Sequence, residues 1–159
     1  MSTIAIHISY RNLSVSRIPD GFVIEKVEDA DMEQFIANWD FITCENVKKI
    51  VEMNRILPSM AAYKTNSDGI GKKKELASYS VFFQNGEIGS THTIEKYRRR
   101  GLAKRIAWEI TNECLKKNVS PFINIAPDNA AAIKTYQGIG YVFDSHSFYG
   151  YYTYDERSS

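Results

Sequence analysis

Two β-rich segments, Leu76 to Phe83 and Ile88 to Ile94, flank the dipeptide Asn85-Gly86 and run directly into a basic turn and a long amphipathic helix. Asn-Gly is the pair that most readily adopts the two left-handed conformations of a type I′ turn, so the spacing predicts an antiparallel hairpin. A hairpin directly before a helix rules out a purely doubly wound sheet. The helix opens near Gly101 and runs to about Lys117, with Leu102, Ile106, Ile110 and Cys114 as its buried stripe.

The flanking segments complete a mixed layer architecture. Phe22 to Val27 reads as a strand, and Asp29-Ala30-Asp31 supplies a capping aspartate for a helix carrying Met32, Phe35, Ile36 and Trp39. Thr43 caps a second helix with Val47, Ile50 and Val51 on its apolar face, ending before Pro58. Met60 to Tyr63 is a short strand, and Asn66 to Lys74 a polar loop whose lysine run is solvated. After the long helix come a strand at Phe122 to Ala126, a cap at Pro127-Asp128, a short helix at Asn129 to Gln137 and one or two strands over Tyr141 to Tyr154. The order β, α, α, β, β, β, α, β, α, β gives a mixed α/β (α+β) fold with a largely antiparallel sheet. The chain length of 159 residues suits one domain over 20–159, with 1–19 as an N-terminal arm or strand. Those first nineteen residues hold Arg11, Arg17, serines and no acid, the composition of a mitochondrial presequence. Ile4, Ile6 and Ile8 alternate with period 2, which favours a strand instead.

Composition narrows the function classes. Twenty basic against nineteen acidic residues leave a net charge of +1, so no global pull draws the chain to nucleic acid or an anionic membrane. No apolar run is long enough to span a bilayer. Cys44, Cys114, His7, His92 and His146 lack metal-ligand spacing, so no metal is expected. Reduced core cysteines point to an intracellular, cytoplasmic protein, with the mitochondrion as the alternative compartment.

The chemistry concentrates in Tyr97-Arg98-Arg99-Arg100-Gly101-Leu102-Ala103-Lys104-Arg105. The first amides of a helix have no intrahelical acceptors, and an anion placed there gains hydrogen bonds plus about 0.3–2 kcal/mol from the helix dipole. Gly101 lets a ligand approach the backbone, Ala103 keeps the next turn clear, and the arginines suit several phosphates. A nuclear-localisation or nucleic-acid patch and a solvated basic helix start fit the same residues.

Further residues decide between these. R-x-x-G-x-A at Arg98 to Ala103 is followed, one strand later, by N-x-x-x-x-x-x-Y at Asn129 to Tyr136 and then Gly138-Ile139-Gly140-Tyr141. These strings resemble the two signature motifs of the GNAT acyltransferase superfamily, in the right order and with the right elements between. A finer resemblance, to the C-terminal catalytic domain of the glycine N-acyltransferase family, rests on several short matches. They are Asn38-Trp39-Asp40-Phe41, Leu57-Pro58-Ser59, Gly86-Glu87-Ile88-Gly89, and Thr93 with Tyr97-Arg98 and Gly101-Leu102, over roughly residues 20 to 143. The resemblance implies a GNAT-like fold with a V-shaped opening between two neighbouring strands, in which acyl-CoA lies with its pyrophosphate on the loop at Arg99 to Lys104. Backbone groups of Thr91, His92, Thr93 and Ile94 would then bind the pantetheine arm. Ala103 and Tyr136 follow the general superfamily pattern rather than that of the glycine family, and the long N-terminal half of those enzymes has no counterpart in these residues.

Glu87 matches the glycine family's proposed general base. A free glutamate near ~4.3 is a weak base for an attacking amine, so burial would have to raise it. The alternative is an exposed glutamate beside the turn. Four straight strand residues from Glu87 to Thr91, whose amide would hold the acyl oxygen, span roughly 13 Å, which demands a bulge or a water chain. His92 is the fallback base, or a packed strand histidine. Tyr136 resembles the residue that protonates the departing thiolate, and its alternative is a core tyrosine sharing a helix face with Ile133. Asn129 either bonds the cofactor or finishes the helix cap. Phe148, Tyr149, Tyr151, Tyr152 and Tyr154 read as a closing strand, with an acceptor pocket or a homodimer seam as alternatives.

The expectation is therefore an acyl-CoA-dependent N-acyltransferase that passes its acyl group directly to a small-molecule primary amine, glycine or another amino acid among the candidates. Arg98, Arg99, Arg100, Gly101, Leu102, Ala103, Lys104 and Asn129 would hold the acyl-CoA; Glu87, Thr91 and Tyr136 would do the chemistry. A catalytically silent acyl-CoA sensor or assembly module is the alternative, and a nucleic-acid binder through Lys96 to Arg105 the third reading.

Overall fold

A computed structural model of the chain describes residues 2–8, 17–37, 47–65 and 74–148. The elements are β1 (Ser2–Ile8), β2 (Phe22–Glu25), α1 (Met32–Ala37), α2 (Val47–Ile56), β3 (Ser59–Thr65), β4 (Lys74–Phe82), β5 (Ile88–Thr93), α3 (Leu102–Lys116), β6 (Phe122–Ile125), α4 (Ala130–Gln137) and β7 (Tyr141–Phe148). They build two antiparallel sheets, in the orders β2-β3-β4-β5 and β6-β1-β7. The mixed α/β, largely antiparallel fold is the one the element order predicts.

Alternation along β3 and β4 sends side chains to two helical layers. Met32 and Phe35 of α1 pack with Ala61, Tyr63, Tyr79 and Val81 on one face. Leu102 of α3 meets Phe22, Ala62 and Ala77 on the other. Ala107 and Ile110 continue that second core onto Ile123 and Ile125 of β6 and Tyr136 of α4. Thr111 ties β7 to α3: its hydroxyl donates to the Ala107 carbonyl at 2.7 Å and lies 2.7 Å from the Tyr141 hydroxyl. Cys114 closes the helix stripe in the core, its thiol pushed up to about 12 by burial, which keeps it from nucleophilic use.

Several local expectations are corrected. Of the two readings of the N-terminal segment, arm or strand, the strand is the one found: residues 2–8 form β1, and what the sequence did not indicate is that it pairs with both β6 and β7 and so occupies the middle of the second sheet. The hairpin exists, but not as a type I′ turn: Gly86 has φ 94° while Asn85 does not reach positive φ. Gly86 N–H instead donates to the Phe83 carbonyl at 3.0 Å and Phe83 N–H to the Glu87 carbonyl at 2.8 Å, a longer connection closed by one left-handed glycine. Asp29 and Asp31 start a single 3-10 turn whose N-cap, Glu28, makes no side-chain cap bond. Their carboxylates accept from Arg55 Nε at 2.7 Å and the Tyr63 hydroxyl at 2.8 Å. Asn129, not Asp128, caps α4, accepting from Ala132 N–H at 3.0 Å. Trp39, Thr43, Cys44, the loop from Asn66 to Lys73 and the tail from Tyr149 onward lie outside the described residues. No helix among the described residues is long and apolar enough to cross a membrane.

Candidate active site

β5 and β6 run parallel and meet at one point. Phe122 N–H donates to the Gly86 carbonyl at 3.1 Å, and Glu87 and Phe122 form an isolated parallel bridge. Beyond that base the strands belong to different sheets and pair no further, and the gap between their diverging carboxyl ends is the candidate cleft, on the side where ligands of parallel-strand folds bind.

The mouth of the cleft is the basic turn. Arg98, Arg99, Arg100 and Gly101 are exposed. Arg99 and Gly101 take positive φ, 61° and 77°, left-handed positions of the kind that recur in anion-binding turns. The first helical bond of α3 runs from Arg105 N–H to the Gly101 carbonyl at 3.0 Å, so the amides of Leu102, Ala103 and Lys104 have no acceptor within the helix. Gly101 offers no capping side chain, and a Cβ there would meet nothing within 4 Å. Open space beside amides without helical acceptors is what an anionic ligand such as a pyrophosphate would require.

Side chains of the same segment divide their roles. Leu102 is in the core, so only its amide faces a ligand. Arg98 Nε donates to the Thr93 carbonyl at 3.1 Å, fixing the start of the turn to the end of β5. The Lys104 ammonium sits beside Gly138, 3.2 Å from where a Cβ would stand there, at the carboxyl end of α4, where the helix dipole favours a cation.

Fewer backbone groups of β5 and of Ile94 just beyond it are open than the resemblance implied. Ile94 N–H is committed to the Ala77 carbonyl at 2.9 Å, and the His92 carbonyl accepts from Ser78 Oγ at 2.8 Å. Pairing of Ser78 with Thr93 and the ladder's alternation leave Thr93 N–H pointing away from β4, into the cleft.

The bulge that the distance from Glu87 demanded is present. Between Val81↔Gly89 and Tyr79↔His92 the register slips, so that Ser90 and Thr91 together face Ser80, with Ser90 at φ 49°. Ser90 Oγ is buried there without a hydrogen-bond partner among the described residues.

Tyr136 bridges the gap. Its ring packs with Ile123 and Ile125 of β6, and its hydroxyl lies 2.6 Å from Thr91 Oγ1 of β5. The side chain is 2% exposed, and burial pushes the phenol up to about 12 against the opposing effect of hydroxyls on Thr91 and Ser80; the Glu87 carboxylate adds to the rise. Glu87 is half-buried and accepts a hydrogen bond from Asn85 Nδ2 at 3.3 Å, so it stands neither free on the surface nor sealed in the core. His92 faces the α1 layer, stacked on Tyr79 at 5.7 Å, its imidazole held below 6.5 by burial and by Arg98. Ser80 was missed by sequence reasoning. The signal was there in Ser78 and Ser80, two small polar residues at i and i+2 in an otherwise apolar strand.

Residues 69–149 match the family model described as FR47-like protein. No curated protein matches the sequence. Among solved structures, a Drosophila protein superposes with a TM-score of 0.79 at 18% identity, over 91% of this chain and 48% of that one. A GCN5-related N-acetyltransferase from Sphaerobacter thermophilus gives 0.66 at 14% identity, over 91% and 49%. AAC(6')-Iy, solved with the bisubstrate analogue CoA-S-monomethyl-acetylneamine, gives 0.54 at 15% identity, over 84% and 98%. The chain thus spans about half the length of the first two. At these identities the likeness establishes the fold, that of GNAT acetyltransferases.

Proposed function

Since the chain belongs to the FR47-like protein family and carries the GNAT fold, we propose that it is an acyl-CoA-dependent N-acyltransferase acting by direct transfer to a primary amine, with glycine and other amino acids the first acceptors to test. The observation that carries this reading is the cleft between β5 and β6, which has the amide cradle of α3 at its mouth and a buried phenol across its gap.

Each residue then has a task. The amides of Leu102, Ala103 and Lys104 and the arginines of the turn bind the pyrophosphate of acyl-CoA. Thr93 N–H holds the pantetheine arm. The bulge amides at Ser90 and Thr91 stabilise the thioester oxygen as it gains charge, being fixed by the fold before the reaction begins. Glu87, at the base of the cleft, takes a proton from the attacking amine through water. Tyr136 delivers a proton to the sulfur as the carbon–sulfur bond breaks.

The test is release of free CoA thiol by the purified chain, given panels of acyl-CoAs and of small amines led by glycine, with Glu87→Gln alongside. Turnover with one pair, lowered at least ~100-fold in the variant, is expected of a general base. CoA binding without release from any pair would make the chain an acyl-CoA sensor. Salt-steep binding to nucleic acid without competition by CoA would overturn both readings.

A further inference from the structure

Hydroxyl groups line the α3-facing side of β4 and β5. Ser78 and Ser80 are both fully buried. Ser78 Oγ is 2.7 Å from Thr93 Oγ1; Ser80 Oγ is 2.8 Å from Thr91 Oγ1, which in turn is 2.6 Å from Tyr136 Oη. The second chain ends at the Gly89 carbonyl, 3.5 Å from Ser80 Oγ.

The bulge makes this chain possible. Ile88 packs on Ala107 and Ile110 of α3, and Thr91 reaches Tyr136 of α4, so the two share a face although they are three residues apart. In a regular strand, residues separated by an odd number point to opposite faces. The extra residue at Ser90 restores Thr91 to the face of the phenol, at the cost of a left-handed serine.

Hydroxyl protons rotate, so three in a row can be ordered in two directions. In one, Tyr136 donates to Thr91, Thr91 to Ser80 and Ser80 to the Gly89 carbonyl, and every proton has an acceptor within the chain. In the other, Ser80 donates to Thr91 and Thr91 to Tyr136, and the phenol proton turns outward to an acceptor in the cleft.

Resting on the acyltransferase reading, we propose that Ser80 and Thr91 are positioning residues that reverse direction as the CoA sulfur arrives, aiming the Tyr136 proton at it and hydrogen-bonding the phenol oxygen as that proton leaves. The electron pair of the breaking carbon–sulfur bond stays on sulfur, and the Tyr136 proton joins it to give the thiol. Thr91 and Ser80 keep their own protons and donate hydrogen bonds down the chain to the phenolate. Water entering the cleft after product departure returns a proton to Tyr136, balancing the one that the amine loses through Glu87 to solvent. Both hydroxyls oppose the effect of burial on Tyr136, the direction this role requires.

Binding of CoA and of desulfo-CoA, which lacks the sulfur, tests this without an acceptor amine. Calorimetry on the whole chain at about pH 9, where a thiol near ~8.5 is mostly ionised, should show wild type preferring CoA roughly tenfold, the worth of a hydrogen bond to a charged group. Tyr136→Phe should erase the preference. Ser80→Ala and Thr91→Val should reduce it below about threefold, and Ser80→Ala should keep the desulfo-CoA affinity of wild type, which certifies an intact fold. Thr91→Ser, which keeps the hydroxyl, should retain it. Full preference in Ser80→Ala and Thr91→Val, or equal binding of both compounds by wild type, would overturn the relay while leaving the acyltransferase reading standing. Binding of neither compound by wild type would overturn that reading and the relay with it.

Discussion

Phe122 N–H donates to the Gly86 carbonyl at 3.1 Å, and from this bond β5 and β6 diverge. Gly86 serves the junction twice. Its φ of 94° closes the hairpin, and a Cβ there would stand 3.4 Å from the Phe122 ring. Gly86→Ala therefore forces an L side chain into a left-handed position at a cost of about 1–2 kcal/mol. The expected fall in Tm is roughly 2–4 °C per kcal/mol for a chain of this size, read by thermal melting. An unchanged Tm would show that the junction tolerates an ordinary residue.

Tyr136→Phe removes only the hydroxyl that faces Thr91. Loss of an acid acting in the transition state should lower kcat by at least ~100-fold and leave KM for acyl-CoA nearly unchanged. Steady-state kinetics with the best acyl and amine pair gives the split. A rise in KM at constant kcat would instead mark Tyr136 as a packing residue of the cofactor cleft.

Gly101→Ala separates backbone strain from ligand exclusion. The position has φ 77° and open space where the Cβ would lie, so folding should lose only about 1–2 kcal/mol. The same methyl would occupy the space assigned to the pyrophosphate, and the Kd for CoA should rise at least ~10-fold, about 1.4 kcal/mol. Calorimetric titration and urea unfolding of one preparation measure both quantities. CoA affinity within twofold of wild type would place the phosphates elsewhere.

The elements written in local periodicity were legible in the sequence. The stripe Leu102, Ile106, Ile110 and Cys114 gives α3, and the basic turn before it gives the anion cradle, because both depend on neighbours in the chain. Long-range pairing left no such trace. The alternation of Ile4, Ile6 and Ile8 marked a strand, but nothing near Ile4 announces its partners Ile125 and His146, so the central place of β1 in its sheet was not legible. The turn type at Asn85 was misread because Gly86 alone supplies the left-handed residue, while the Asn85 side chain accepts from Glu87 N–H at 3.0 Å. A bulge between Glu87 and Thr91 was legible as one of two ways to close their distance, but its place at Ser90 was not, since only the packing of Thr91 against Tyr136 gives a serine reason to take positive φ. The carboxylate at Glu87 was legible as a residue type, but the bridge to Phe122 that sets it at the base of the cleft was not.

His92 makes stability depend on pH. Burial first and Arg98 second hold its imidazole below 6.5, so the folded chain binds fewer protons than the unfolded one between that lowered value and 6.5. The associated stability is fully present above 6.5 and is lost as pH falls through the folded value. Urea midpoints should drop between pH 7.5 and pH 5 in wild type and drop less in His92→Gln. Identical slopes in the two proteins would show that His92 does not set the dependence.

If one cleft holds acyl-CoA from its pyrophosphate to its sulfur, a crystal structure of the chain with CoA shows it directly. The expected complex has the pyrophosphate within hydrogen-bond distance of the amides of Leu102, Ala103 and Lys104, the arm running between β5 and β6, and the sulfur beside Tyr136 Oη. CoA bound elsewhere, or with its sulfur remote from Tyr136 while β5 and β6 remain as they are, would contradict it.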